Sequence, residues 1–160
     1  MLKPNLLRKT ISQHVPWVRE NPDRLVIYVQ RGNIVSHGGV AAAFEFRYTL
    51  EVLAMDYPGT LDDLAVPVLL WAREYQPDLL FNPERRKDGI KFDADLLSNS
   101  TMDVLISIQV DESVVVEQHA GNIRTRHRAD TPPDLLEGMD SWAAIISDTA
   151  SVAKSDDLAS

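Results

Sequence analysis

Residues 44 to 75 read FEFRYTLEVLAMDYPGTLDDLAVPVLLWAREY, and the hydrophobic pattern of this segment changes period halfway along. In the first half, apolar residues alternate with polar ones, which is typical of a half-buried β-strand. After Thr60 they recur at three- and four-residue spacing, which is typical of one face of a helix. The stretch therefore predicts a strand, a turn at residues 57–60 and a helix that packs on the sheet.

One side of the predicted strand is apolar, and it carries Phe44, Phe46, Tyr48, Leu50, Val52 and Ala54. The other side is charged or polar, and it carries Glu45, Arg47, Thr49 and Glu51. This order predicts a sheet with one face packed and one face presented to solvent. If residues 43–55 all belong to the strand, it is roughly 40 Å long. We expect a strand of that length to reach a neighbouring subunit.

The predicted helix has an unusually wide apolar face, because Val66, Leu69 and Leu70 extend the stripe that starts at Leu61. Such a helix needs cover on two sides, and we expect the sheet on one side and a neighbouring subunit on the other. Thr60 or Asp62 can cap its first turn. A proline inside a helix costs about 3 kcal/mol, so Pro67 predicts a kink or a new helix start near Val66.

The chain of 160 residues contains no cysteine, which excludes a disulfide framework, a thiolate metal site and a cysteine nucleophile. No apolar run approaches the ~20 residues needed to span a bilayer, and the N-terminus lacks the apolar core of a signal peptide. We therefore expect a soluble protein that is not exported by that route and has no contact with membranes.

The net charge of −8 is unevenly distributed, since residues 129 to 160 carry seven acids and one lysine. Residues 1–128 are therefore nearly balanced, and we predict one domain over 1–128 and an acidic C-terminal tail over 129–160. The tail is expected to be extended or partly helical. Within it, residues 134–146 could form a short helix that buries Leu135, Trp142 and Ile146 against a partner.

The remaining segments complete an α+β fold. A helix from Pro4 is predicted to bend at Pro16, and a strand from Leu25 is predicted to stop at a turn over residues 31–33. A loop over residues 76–84 holds the apolar plug Leu79, Leu80 and Phe81. Strands are predicted over 90–97, 102–110, 113–118 and 123–128, the last two joined by a four-residue loop at 119–122. This gives a mixed, mainly antiparallel sheet of about five to six strands with two principal helices on one face.

Few residues suggest chemistry. The four histidines, at positions 14, 37, 119 and 127, do not have the spacing of metal ligands. Asp93 and Asp95 share one face of a predicted strand and could hold a cation or act as an acid and base pair, although a solvated sheet face is the more common explanation. We expect no catalytic residues, no metal and no cofactor.

Three arginines are the strongest candidates for a binding surface. Arg124, Arg126 and Arg128 alternate along a predicted strand, so their guanidinium groups point to one side and could meet phosphates or an acidic partner. The acidic total and the lack of interleaved aromatic residues argue against nucleic acid. We therefore expect this ladder, the plug at 79–81, and Leu135 and Trp142 to contact other proteins, with simple solvent exposure as the alternative for the ladder.

Four segments resemble the tail completion protein R family of contractile-tailed bacteriophages: MLKPNLLR at the start, NPDRL at 21–25, RYTLEVLAMDYPG at 47–59 and VPVLLWAREYQPDLL at 66–80. The resemblance covers residues 1–110 well, thins through the hairpin and ends after Ala129. It implies a structural protein that caps the head-proximal end of the tail in the virion, by analogy with six-membered tail terminator rings.

The same resemblance implies several partners. These are further copies of the chain, the tail tube protein, the tail sheath protein and a head completion or neck protein, with DNA only as cargo that passes through the ring. Assembly would take place in the cytoplasm of the bacterial host. Two other classes stay open: a small hydrolytic enzyme that uses Asp93, Asp95 and a histidine, and an adaptor that binds through its acidic tail.

Overall fold

The computed structural model describes residues 1–40 and 42–130, and within them it shows an antiparallel sheet with helices packed on one face. The predicted fold class is confirmed. The strands are β1 (Leu25–Ser36), β2 (Ala43–Tyr57), β3 (Ile90–Leu96), β4 (Met102–His119) and β5 (Asn122–His127). The α-helices are α1 (Lys3–His14), α2 (Pro16–Glu20), α3 (Leu61–Tyr75), α4 (Asp78–Phe81) and α5 (Pro83–Arg86), with a 3-10 turn at Pro22–Arg24.

The sheet has the order β1-β2-β4-β3, and β5 also pairs with β4. β3 pairs with residues 102–108 of β4, and β5 pairs with residues 114–119. Since β2 lies on the other side of β4, both short strands flank the same edge of β4, one at each end. A gap without a strand is left along residues 109–113.

The core lies between one sheet face and the two long helices, α1 and α3. Leu50 and Ile108 are fully buried at its centre, opposite each other on β2 and β4. From the helices, Leu7, Ile11 and Trp71 are fully buried against them. We call the opposite side, which these helices do not cover, the open face of the sheet.

Helix α1 packs against α3 and covers much of its second apolar side. Cover that was expected from a neighbouring subunit is therefore supplied within the chain, although Val66 stays 39% exposed. α3 runs as one helix through Pro67, so the predicted new helix start near Val66 is wrong. Pro67 is buried, and we attribute the continuity to this packing, which offsets the lost hydrogen bond to the carbonyl of Asp63.

Two local predictions about helix ends are confirmed. α1 ends at His14 and α2 begins at Pro16, so the first helix is interrupted where proline removes a backbone donor. Thr60 caps α3 through a capping box, in which its backbone N–H donates to Asp63 Oδ2 at 2.9 Å. No helix of the described residues is long and apolar enough to cross a membrane.

Two predicted strand ends are wrong, because the chain continues in extended form through both. β1 passes residues 31–33, which pair with residues 47–49 of β2, and its only irregularity is a register shift between Val29 and Arg31, which marks a bulge just before the expected turn. β4 passes Asp111 and Glu112 without a break, since both carboxylates find partners inside the molecule. The following hairpin has a two-residue loop, Ala120–Gly121, in which both residues have positive φ as a tight hairpin turn requires.

The expected solvent exposure of one face of β2 also needs correction. Glu51 points to the open face but is only 4% exposed, and it accepts a hydrogen bond from Ser107 Oγ at 2.6 Å. Conversely, Phe44 and Phe46 on the core side are only partly buried. Their rings pack edge to face with centroids 5.1 Å apart, where the sheet extends beyond the helices.

Candidate interaction surfaces

The predicted arginine ladder lies at one end of the sheet, on and just after β5. Arg124 is opposite Glu117 in the β4–β5 register, and Arg126 Nε lies 3.3 Å from Glu117 Oε1. Arg128 follows the end of β5, and its backbone N–H donates to Ser113 O at 2.9 Å. All three side chains are exposed. Their contact with an acidic partner remains a prediction.

The predicted plug forms the short helix α4 rather than a loop segment. Leu79 is 2% exposed and belongs to the core of its own chain, so it offers no surface to a partner. Leu80 and Phe81 are only partly buried, and the guanidinium carbon of Arg73 lies 5.8 Å from the centroid of the Phe81 ring. The other two candidates, Leu135 and Trp142, lie outside the described residues.

The gap beside β4 is closed by side chains and by the segment after α5. Gln109 N donates to Gly89 O at 2.8 Å, and Asp111 N donates to Gln76 Oε1 at 3.2 Å. Lys3 Nζ donates to Asp111 O at 2.7 Å. These bonds satisfy backbone groups that would otherwise have no strand partner on this edge.

The Asp111 carboxylate is held by charged and polar neighbours from two other elements. It pairs with Arg85, which also pairs with Asp78, and it accepts a hydrogen bond from Gln76 Nε2 at 3.1 Å. Burial works to raise the pKa of Asp111, but the hydrogen bonds from Gln76 and Arg85 and the positive charge of Lys3 lower it overall. Asp111 is therefore an internal ion-pair partner and not a free surface acid.

Glu112 ties the N-terminus to the sheet. Its side chain is 3% exposed and accepts hydrogen bonds from Tyr48 Oη, from Leu2 N at 2.9 Å and from Lys3 N at 3.2 Å. His127 Nδ1 lies 2.9 Å from its Oε2 atom. Burial would raise the pKa of Glu112, but the hydrogen bonds outweigh this effect and the pKa is lowered. Burial and the bond to Glu112 raise the pKa of Tyr48 far above its usual value.

This polar network was not predicted, although one signal for it is present in the sequence. Asp111 and Glu112 interrupt a long apolar alternation, so the pattern predicts a strand that ends at Val110. Two adjacent acids inside an otherwise continuous strand pattern indicate instead that the strand continues and that the acids have hydrogen-bond or ion-pair partners inside the fold. The identity of those partners, such as Lys3, depends on contacts over more than 100 residues of chain.

The lowered pKa values of Asp111 and Glu112 predict that acid destabilises the fold. A carboxyl whose folded pKa lies below its unfolded value contributes stability that is present above the unfolded pKa and is lost as pH falls through the folded one. We expect the free energy of unfolding to fall below about pH 4.5. In denaturant titrations from pH 7 to pH 3, the difference between wild type and Glu112→Gln should shrink as pH falls.

The matched control for this experiment is Glu117→Gln, an exposed acid on the same strand. Its stability curve should run parallel to that of the wild type over the whole pH range. A Glu112→Gln variant whose deficit stays constant down to pH 3 would contradict the assignment of acid sensitivity to Glu112.

The two aspartates considered for chemistry lie on the edge strand β3. Asp93 and Asp95 are both exposed on the open face, and Asp95 lies directly opposite Asp103 of β4. Among the described residues, no three His, Cys, Asp or Glu side chains are grouped so that they could hold a metal ion. The other side of β3 is apolar, with Phe92 59% exposed and Leu96 82% exposed.

Comparison with known proteins identifies the family of this chain. The family model described as P2 phage tail completion protein R (GpR) matches residues 1–132. Tail completion protein R of Escherichia phage P2 is 39% identical over 133 residues, which cover 83% of this chain and 86% of that protein. The match thus runs through the β4–β5 hairpin, where the resemblance was expected to thin. No solved structure matches the chain. The chain therefore belongs to the P2 phage tail completion protein R family.

Proposed function

We propose that this protein completes the phage tail by forming an oligomeric ring at the head-proximal end of the tail tube and sheath. The ring would stop tail growth and present a surface for a head completion or neck protein. Membership of a family named for tail completion supports this role. The relative is named for a structural task, and the proposal accordingly assigns assembly and no catalytic step to this chain.

The observation that carries the proposal is that the sheet is larger than the helical layer that covers it. β3, β5 and the paired ends of β1 and β2 extend beyond α1 and α3, and they keep large apolar side chains at the surface: Ile34, Phe92, Leu96 and Ile123. Apolar side chains that stay exposed on edge strands favour association with other protein surfaces. A ring uses such surfaces through a heterologous contact, in which one patch of a subunit meets a different patch of the next.

The remaining surfaces are assigned to the neighbouring components. In the proposal, the arginines at 124, 126 and 128 contact acidic groups of the tail tube or sheath protein, and Leu80 and Phe81 add apolar area. Opposite charge across such a contact fixes its orientation and speeds association. DNA passes through the ring as cargo and is not read by any residue.

The test is an infection with phage that lacks this gene, examined by electron microscopy. We expect tails of uneven length, or tails that are not joined to heads, and restoration when the gene is supplied from a plasmid. In parallel, light scattering of the purified chain with tail tube protein should show a complex larger than either alone. Normal joined virions without the gene, together with a chain that stays monomeric beside the tube, would refute the proposal.

A further inference from the structure

Within the described residues, the two outermost strands on opposite sides of the sheet each have a partner on one side only. β1 pairs with β2 alone, and β3 pairs with β4 alone. All pairings are antiparallel, so β1 and β3 run in opposite directions. If a second copy of the sheet lies beside the first in the same orientation, its β3 meets β1 as an antiparallel neighbour. Among the described residues neither facing edge has a strand partner, although Leu25 O already accepts a hydrogen bond from Arg8 Nη2 at 3.0 Å.

The side chains of β3 indicate that this strand is covered in the assembled state. Phe92 and Leu96 point to the core side of the sheet, since Phe92 is opposite the buried Ile106 and Leu96 is opposite Met102. The helical layer does not reach them. A neighbour's β1 would extend that layer, because its core side presents Leu25 and Ile27 below the neighbour's own helices.

On the open face, β3 carries an acidic side chain that a cationic neighbour would stabilise. Asp95 and Asp103 stand directly opposite each other, and like charges in that position are destabilising. A cationic partner would relieve the repulsion. Arg24, the residue before β1, has a half-exposed guanidinium group that also pairs with Asp56 of its own chain.

The rows of the sheet give the register of such a contact. Leu25, Ala54, Val104 and Ala94 lie in one row across the four strands. Extended into the next copy, this row sets Leu25 beside Ala94 and places Ile27 beside Phe92. In the row that follows Leu25 along β1, Val26 lies opposite Asp93 on the open face. In the row that precedes Leu25, Arg24 lies opposite Asp95.

We propose that β1 of one subunit pairs with β3 of the next, so that the sheets of neighbouring subunits continue into one another around the ring. The contact joins two different patches and can therefore repeat from subunit to subunit. It buries Phe92 beneath the neighbour's helices and gives Asp95 a cationic neighbour in Arg24. This inference rests on the proposed ring and specifies the contact by which the ring closes.

The absence of cysteine from the chain makes the contact directly testable by engineered disulfides. Opposite residues of an antiparallel pair lie within the range of Cα separations that a disulfide tolerates. Three full-length double variants test the contact, and each combines Val26→Cys with one of Lys91→Cys, Asp93→Cys or Asp95→Cys. The pair with Asp93→Cys tests the register given above, and the other two test shifts of two residues in either direction. Larger or odd shifts are not expected, since an odd shift would exchange the faces. The variants are oxidised alone and with tail tube protein, then separated on non-reducing gels.

At least one of these pairs should give a ladder of cross-linked subunits, at least about tenfold stronger than any single-cysteine variant gives. The matched control is Val26→Cys with Phe92→Cys, whose thiols lie on opposite faces and should not cross-link. If a variant with only one cysteine forms cross-linked dimers, the contact joins the same edge of both subunits, and this result would overturn the proposal. If the wild type forms rings but none of the three pairs cross-links, the β1–β3 contact is wrong while the proposed function stands. A wild type that stays monomeric even with the tube overturns both.

Discussion

Replacement of Glu112 by alanine is expected to lower the free energy of unfolding by about 3–5 kcal/mol. The carboxylate is almost fully buried, and its removal leaves Tyr48 Oη and the amides of Leu2 and Lys3 without their acceptor. It also removes the carboxylate oxygen that lies 2.9 Å from His127 Nδ1. The loss can be measured by urea denaturation at pH 7, with circular dichroism as the probe of secondary structure.

Two further variants separate the buried network from a general effect of acid removal. Tyr48→Phe deletes one donor and keeps the ring, so the expected loss is about 1–2 kcal/mol. Glu117→Ala removes an exposed acid from the same strand and should change stability by no more than about 0.5 kcal/mol. Equal stabilities of Glu112→Ala and Glu117→Ala would show that Glu112 does not hold the N-terminus in place.

The second large effect is expected for Trp71→Ala, with a loss of about 3–5 kcal/mol. Trp71 lies in the C-terminal half of α3 with no exposed area, and it packs within the cluster that joins this helix to β2 and β4. Its removal leaves a cavity that the close-packed sheet and helices fill only in part. Thermal and urea denaturation of the purified variant measure the loss.

Trp17→Ala is the matched control for this change. Trp17 is only half-buried, and its ring packs edge to face on Tyr57 with centroids 5.2 Å apart. Trp17→Ala should lower the free energy of unfolding clearly less than Trp71→Ala does, because water can occupy part of the space that the Trp17 side chain leaves. The opposite order of the two losses would contradict the placement of the core between α3 and the sheet.

Much of the fold could be predicted from residues 44–75 because local pattern and tertiary packing agree there. The alternation from Phe44 to Ala54 fixes which side of β2 is buried, and the spacing from Leu61 fixes the face of α3 that packs on it. Thr60 marks the start of that helix by its own side chain. Where a short segment carries both the hydrophobic periodicity and the helix cap, its sequence is sufficient to predict the type and the buried face of each element.

The two strand predictions that failed have a common physical cause. The predicted turn at 31–33 and the predicted strand end at Val110 both rest on polar or glycine residues, which in the fold meet distant partners. Gly32 lies opposite Tyr48 across the sheet, and Asp111 is held by Arg85. Partners that are far apart along the chain satisfy these groups inside a strand, and no local pattern records them.

The candidate surface was predictable only in part for the same reason. Alternation along residues 124–128 correctly suggested that the arginine side chains would be at the surface. It did not show that Leu79 would be drawn into the core, because this depends on how α4 folds back below the gap in β4. Nor did it show that Phe92 would lie beyond the helical layer.

The attachment of the N-terminus to Glu112 has a consequence for the synthesis of this protein. Leu2 and Lys3 leave the ribosome long before their hydrogen-bond acceptors, which lie 109 to 110 residues later. Lys3 also pairs with Asp130, near the end of the described chain. Helix α1 can pack on α3 earlier, but its hydrogen bonds to Glu112 and its full cover by the sheet form only after β4 has been translated. Nascent chains stalled before β4 would expose this apolar helix to chaperones and proteases.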